Sequence, residues 1–297
     1  MILGIDMGAS SSKWALFSGG EMTASGNSAP LSGHLYTPEA RQHMAAGLIG
    51  IRAAVPAQPS AVVVGITGLS TDFVPLIREM LSSTFHLPQT ALYVTDDLHL
   101  AYAAHFLRDG PVGGGTLVYA GTGSMAYHRT VSSYGTAADE VIRAGGHGFL
   151  IDDAGGAFWQ GRQGLKAVLR EVDEGWGESL LASRLFGVIG SQHWPDIRAY
   201  VYGEGRAALA RLAPAVYEAA VGGDPHAQDI QRRAGEELAR LGGAVLRRTG
   251  IPRLALCGGS FNPLVAASFH RQFVDRDVMF TPTVSPLLGA LALAPAG

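Results

Sequence analysis

Asp6 stands between two short apolar runs, Ile2-Leu3-Gly4-Ile5 and Trp14-Ala15-Leu16-Phe17, in a stretch that continues through Gly8, Ala9, Ser10, Ser11 and Ser12. Small residues at a turn let backbone N–H groups approach an anion, because no side chain stands in the way. A carboxylate beside such a turn can hold a cation that the anion also binds, and a metal–nucleotide is the usual pair of that kind. The design recurs once. Thr116–Tyr119 reads as a strand, Ala120, Gly121, Thr122, Gly123 and Ser124 as a small-residue turn, and Met125–His128 as a second strand. Two such widely separated units suggest two similar half-domains, each offering a phosphate loop to one cleft. For either loop taken singly, an ordinary tight hairpin is the competing reading. Neither GxxxxGK[ST] nor a GxGxxG after a strand occurs, which argues against P-loop and dinucleotide folds.

The elements that must carry these loops follow from periodicity and capping. Glu21–Ser28 suits a third strand, and Thr37-Pro38-Glu39 starts a helix running to about Val55, with Thr37 as cap and proline at the first position. Ala61–Thr67 is a run rich in β-branched residues, as a strand buried on both faces would be. A helix near Phe73–Ser83 and a strand at Ala91–Val94 come next. Thr95-Asp96-Asp97 then caps a helix over Leu98–Leu107, where the macrodipole favours an ionised carboxylate. Arg108–Gly115 is the best boundary between domains. After the second hairpin comes the glycine-rich stretch Ala144–Trp159, holding Asp152 and Asp153, and then a mostly helical region to Tyr217. Asp224-Pro225 opens another helix, with Ile230, Ala234, Leu238, Leu241 and Val245 in one apolar stripe. Leu254–Leu256 is a strand running into Cys257-Gly258-Gly259-Ser260, and Val278–Phe280 is a late strand. Ser285-Pro286 caps a final helix, Leu287–Ala294. Strands alternating with helices make this an α/β protein.

Totals narrow the function classes. The chain has 297 residues, 47% hydrophobic and 16% charged, enough for two domains with substantial cores. A net charge of −3 gives no basic field for nucleic acid. No apolar run is long enough to span a membrane, and no signal-peptide pattern precedes Ile2, so the expectation is a cytoplasmic protein without membrane attachment. The single cysteine excludes a disulfide framework, and the ten histidines show no metal-ligand spacing.

Taken in order, these pieces resemble the sugar kinase/Hsp70/actin superfamily, and within it the N-acetylglucosamine kinase branch grouped with the BadF/BadG/BcrA/BcrD-type ATPases. That family's first phosphate loop, Asp-Gly-Gly-Gly-Thr-Lys, is matched by Asp6-Met7-Gly8-Ala9-Ser10-Ser11, and its second, Ser-Gly-Thr-Gly-Ser, by Ala120–Ser124. Its Asn-Asp-Ala-Ala element, which carries the catalytic aspartate, aligns with Asp96-Asp97-Leu98-His99. Its Gly-Gly-Trp-Gly…Gly-Asp-Glu-Gly-Ser block matches Gly145-Gly146-His147-Gly148…Asp152-Asp153-Ala154-Gly155-Gly156. The adenosine motif matches Leu254–Ser260, and the Pro-x-x-Gly-Ala helix matches Pro286–Ala290. Departures concentrate in the block that touches sugar: tryptophan becomes His147, glutamate becomes Ala154 and serine becomes Gly156. The lysine of the first loop is Ser11, with Lys13 two places on.

The resemblance implies two actin-like, ribonuclease H-like domains, each a mixed sheet flanked by helices, around an ATP-binding cleft. They would span residues 1–112 plus 285–297, and 113–284. It implies an ATP- and Mg²⁺-dependent kinase for an amino sugar, N-acetylglucosamine or glucosamine, acting at the 6-hydroxyl with Asp97 as base. Asp6 would hold the metal. Gly8, Ala9, Ser10, Ser11, Gly121, Thr122, Gly123, Ser124, Gly258, Gly259 and Ser260 would line the nucleotide. Asp97, Thr122, Gly146, His147 and Asp153 would meet the sugar, although Asp153 also suits the cap of a helix beginning near Gly155. A homodimer is common in the family. Rival readings are a kinase for N-acetylmuramic acid or an anhydro sugar, a non-catalytic sugar sensor, and an ATPase that activates a partner enzyme.

Overall fold

The alternation in the sequence folds into two five-stranded mixed sheets with helices on their faces. The computed structural model describes residues 1–8, 11–108, 114–130, 140–175 and 178–295. The chain divides into two compact units, one built from Met1–Gly114 with Pro282–Gly297, the other from Gly115–Thr130 with Glu140–Thr281.

In the first unit, β1 (Ile2–Met7), β2 (Ser12–Ser18) and β3 (Glu21–Ser28) form an antiparallel meander. Helix α1 (Pro38–Ala54) starts at Thr37, whose hydroxyl accepts the Ala40 N–H at 3.2 Å. Then come β4 (Ala61–Ile66), a 3-10 turn over Thr71–Phe73, α2 (Val74–Phe85), β5 (Leu92–Asp96) and α3 (Asp97–Phe106). The sheet order is β3-β2-β1-β4-β5, with β4 parallel to both β1 and β5. Every residue of β4 is buried because both faces are covered. Val62 and Val64 pack with Leu48, Ile51, Ile77 and Leu81 of α1 and α2, whereas Val63 packs with Leu100 of α3 on the other side.

The second unit repeats the plan. Its strands are β6 (Thr116–Ala120), β7 (Ser124–Arg129) and β8 (Val141–Gly145). Helices α4 (Ala157–Asp173), α5 (Leu180–Ile189), α6 (Trp194–Glu204), α7 (Arg206–Ala210), α8 (Ala213–Val221) and α9 (Pro225–Thr249) follow, then β9 (Arg253–Cys257), α10 (Pro263–Arg271) and β10 (Met279–Thr281). The order β8-β7-β6-β9-β10 has the same sequence of connections as the first sheet, with β6–β7–β8 antiparallel and β6–β9–β10 parallel. The expected duplication is therefore present in the topology. The α9 stripe Ile230, Ala234, Leu238, Leu241 and Val245 lies in this unit's core, each residue at most 4% exposed.

The chain then adds its last elements to the first unit. A 3-10 turn over Pro286–Gly289 leads into α11 (Ala290–Leu293), and Leu287 and Ala290 join Phe17, Val63 and Leu100 in one cluster. The expected single helix over Leu287–Ala294 is thus a tight turn plus one helical turn, and the Ser285 side chain makes no capping bond. Strand β8 lies largely in a stretch to which the sequence assigns no element, and α2 begins one residue later and ends two residues later than expected. Among the described residues no helix is long and apolar enough to cross a membrane.

Gly65 is where the first unit tolerates no side chain. A Cβ there would lie 2.7 Å from the Leu100 Cβ and 3.2 Å from the Asp97 Cα, so its absence lets the start of α3 rest on the sheet. Gly65→Ala is expected to cost about 1–3 kcal/mol, the usual range for overpacking. A lower urea midpoint with an unchanged slope would show it, whereas an unchanged midpoint would mean that α3 is not held this way.

Candidate active site

The first hairpin puts Asp6 on a strand rather than in the turn. Residues Met7 and Ser12 pair across β1 and β2, and the Gly8 N–H donates to the Ser11 carbonyl at 3.1 Å. Ala9 and Ser10, expected phosphate contacts, lie outside the described residues. Asp6 sits opposite Lys13 on one neighbouring strand and Gly65 on the other, and Gly65 is in turn opposite Thr95. Two residues past Thr95 the chain enters α3 at Asp97. Strand register and the bare Gly65 backbone together bring Asp97 close enough for its charge to act on Asp6.

Asp96 is the helix cap, its Oδ1 accepting the His99 N–H at 2.8 Å. Asp97 is the first helical residue; its Oδ1 accepts the Leu98 N–H at 3.1 Å, and Thr67 also hydrogen-bonds its carboxylate. Helix position alone would lower its pKa. Instead the Asp97 carboxyl is pushed up to about 6, first by burial and then by the neighbouring Asp96 charge, which outweigh these hydrogen bonds. Burial and the Asp96 charge therefore outweigh the lowering expected at this helix start. Asp6 is also pushed up to about 6, by burial and then by Asp97, with Lys13 pulling it back. Both residues are intermediate in exposure, neither fully buried nor open to solvent.

The Asp97 charge disfavours an ionised Asp6, a strain that a divalent cation bound at Asp6 would relieve. Among the described residues no three His, Cys, Asp or Glu side chains converge as a metal cage. Mg²⁺ asks for no cage, since it is commonly held by one or two carboxylates together with water and phosphate oxygens. Asp6 fits that role.

In the second hairpin the carbonyls are taken. The N–H groups of Ala157 and Phe158, at the start of α4, donate to the Gly121 and Thr122 carbonyls at 2.9 and 3.0 Å. The Gly121 N–H donates to the Gly123 carbonyl at 3.0 Å, and Ser260 gives its N–H to Ala120 and its hydroxyl to the Gly121 carbonyl at 2.9 and 2.8 Å. The Ser124 hydroxyl donates to the Ala154 carbonyl at 2.7 Å. Ser124 and Ser260 thus brace the loop with their hydroxyls. Among the described residues the Thr122 and Gly123 N–H groups have no protein acceptor, leaving them for an anion. Gly258 is explained by packing, since a Cβ there would fall 2.3 Å from the Ala120 carbonyl oxygen, whereas beside Gly259 there is open space. Cys257 is buried core.

The block expected to meet sugar is divided. His147 is exposed, and the Gly146 N–H donates to the Ser124 carbonyl at 3.0 Å. Asp153 is only 3% exposed and adopts a left-handed backbone, φ 66°. Its carboxylate caps no helix, because Gly156 occupies the cap position of α4; it accepts instead from Nη2 of Arg206 at 2.8 Å. Nothing in the sequence marks Arg206, one arginine among several in a helical region.

Residues 3–294 match the BadF/BadG/BcrA/BcrD ATPase family. The chain belongs to that family. An N-acetylmuramic acid/N-acetylglucosamine kinase from Clostridium acetobutylicum is 27% identical to this family member over 182 residues, 60% of the present chain. The match spans 56% of that relative's length, little more than half. Among solved structures, a candidate N-acetylglucosamine kinase from Chromobacterium violaceum aligns with a TM-score of 0.74 at 22% identity, covering 98% of each chain. One from Porphyromonas gingivalis aligns with a TM-score of 0.76 at 18% identity, covering 98% of this chain and 97% of its own. These likenesses establish the actin-like, two-sheet fold.

A carboxylate raised on folding lends stability that is complete below its unfolded pKa of 3.8 and lost as pH climbs through about 6. Asp97→Asn removes one such group and lessens the shift on Asp6. Without metal, the variant is expected to be more stable than the parent at pH 7.5 by about 1–3 kcal/mol, and nearly equal to it at pH 4. Thermal melts at the two pH values check this; a gap that does not widen with pH refutes the raised pKa.

Proposed function

We propose that this protein is an ATP-dependent sugar kinase with Asp97 as its base and an amino sugar, N-acetylglucosamine or glucosamine, as acceptor at the 6-hydroxyl. The observation that carries the reading is Asp97 itself: a carboxylate with a pKa of about 6, oriented by Thr67 and the start of α3, beside a second carboxylate suited to Mg²⁺. A base titrating near the working pH is ionised often enough to act and still basic enough to take a proton.

In the step we infer, the acceptor hydroxyl oxygen bonds to the γ-phosphorus as the bond from that phosphorus to the ADP oxygen breaks. The hydroxyl proton passes to Asp97. Because the transition state of such transfers is loose, the proton moves late, and positioning with charge neutralisation does most of the work. Bound Mg²⁺ at Asp6 would neutralise charge on the phosphates. The free N–H groups of Thr122 and Gly123 suit phosphate oxygens, and the open space beside Gly259 suits the nucleoside. Membership of an ATPase family supports ATP as the donor.

N-acetylmuramic acid is the second acceptor we carry forward, because the Clostridium acetobutylicum relative is a kinase for it as well as for N-acetylglucosamine. His147, exposed where the family pattern has tryptophan, is a departure in the block expected to meet sugar and supports an acceptor other than the family's usual one.

The test is ADP release from MgATP with N-acetylglucosamine, glucosamine, glucose, N-acetylmannosamine and N-acetylmuramic acid in turn. Turnover should require one of the amino sugars, fall at least about a hundredfold in Asp97→Asn, and have a kcat/KM that rises with pH as Asp97 loses its proton. ADP release indifferent to every sugar, or untouched by Asp97→Asn, would remove Asp97 from the chemistry and favour a partner-activating ATPase.

A further inference from the structure

Arg206 places a guanidinium against the turn of the second hairpin. A Cβ on Gly123 would come within 2.6 Å of its Nη2 and 2.7 Å of the Asp153 carboxylate oxygens, so the ion pair lies directly on the loop backbone. The two partners are unequally exposed. The Asp153 side chain is 4% accessible and that of Arg206 is 38%. An ion pair serving only stability gains little from burying one charge and leaving the other in water, since the anion's desolvation is then poorly repaid. Hiding the anion beneath the loop and presenting the cation outward is the arrangement of a ligand contact with its counter-charge behind it.

The rest of the local structure points the same way. Asp153 keeps the left-handed backbone that non-glycine residues rarely adopt, and this conformation accompanies the carboxylate's position under Gly123. The Arg206 guanidinium lies over the Phe149 ring, 5.6 Å from its centroid, which limits its swing. Its carrier helix α7 lies directly on α4: a Cβ on Gly161 would be 1.9 Å from the Leu209 carbonyl oxygen. Helix α4 is also the element whose first N–H groups hold the Gly121 and Thr122 carbonyls. Loop and arginine are therefore fixed to one helix. A guanidinium has five N–H donors. Here Nη2 meets Asp153, the buried Nε has no partner, and among the described residues Nη1 makes no hydrogen bond, so donors of the guanidinium remain uncommitted.

We propose that Arg206 is a phosphate-binding residue of the second loop, acting with the Thr122 and Gly123 N–H groups, and that Asp153 is the residue that positions it. The inference rests on the reading that this loop takes a nucleotide. Uncommitted guanidinium donors beside free N–H groups suit phosphate oxygens, which accept them as charge-assisted pairs. On this reading Asp153 acts through Arg206 rather than by touching the sugar itself.

The experiment is calorimetric titration of the full chain with MgATP and with inorganic tripolyphosphate, for the parent and for Arg206→Ala, Arg206→Gln, Arg206→Lys, Asp153→Asn and the Arg206→Ala/Asp153→Asn pair. Both neutral variants should weaken both ligands about tenfold or more, and Arg206→Lys should regain much of that loss. Asp153→Asn should weaken binding in the parent background and have no further effect once Arg206 is gone, a coupling that a merely structural aspartate would not show. ATP binding within twofold of the parent in Arg206→Ala or Arg206→Gln overturns the inference, as does Arg206→Lys binding no better than Arg206→Ala. A parent chain that binds neither ATP nor tripolyphosphate overturns the nucleotide reading itself, and the inference falls with it.

Discussion

The first unit depends on holding two carboxylates near each other, largely out of water. Asp6 and Asp97 come from different parts of the chain. They meet because β1, β4 and β5 run parallel in register and because Gly65 lets α3 settle on the sheet. Bringing like charges together in a poorly solvated place lowers stability at neutral pH, and folded proteins keep such arrangements where the surrounding structure over-determines them. Here the over-determination is plain. Asp96 caps the helix, Thr67 orients Asp97, and a sheet covered on both faces fixes the strand ends.

The second unit uses the same strand order for a different electrostatic purpose. Its first hairpin carries no carboxylate of its own; the loop backbone is stripped of free carbonyls by α4 and Ser260, and its nearest charged groups are Asp153 and Arg206. One topology thus serves twice, once to concentrate negative charge and once to expose N–H groups backed by a guanidinium. The residues at the hairpin turns and at the helix starts that follow decide which.

Much of this was legible in the chain itself because local rules sufficed. Both hairpins, the Thr37 cap, the doubly buried β4 and the apolar stripe of α9 each follow from a period or a capping preference that tertiary contacts reinforce. What escaped depends on contacts distant in sequence. Strand β8 is an edge strand with Arg143 at its middle and little burial, so its pattern is faint. Gly258 reads as a ligand-binding glycine until Ala120 is found against it. The raised Asp97 carboxyl reflects burial that no local motif encodes. Arg206 looks like any helix-surface arginine, and its partner lies 53 positions earlier in the chain.

The way Leu287 and Ala290 close over Phe17, Val63 and Leu100 also sets an order of assembly. A ribosome makes the whole second unit before it reaches these residues, so during synthesis one face of the first sheet must wait only partly covered, by α3, while the later unit already has every element it needs. The half that emerges first is therefore the half that matures last. Until then α3 alone lies on the Val63 side of the sheet, and the part of that face left open is the stretch of the nascent chain most in need of shelter, whether from a chaperone or from the speed of translation itself.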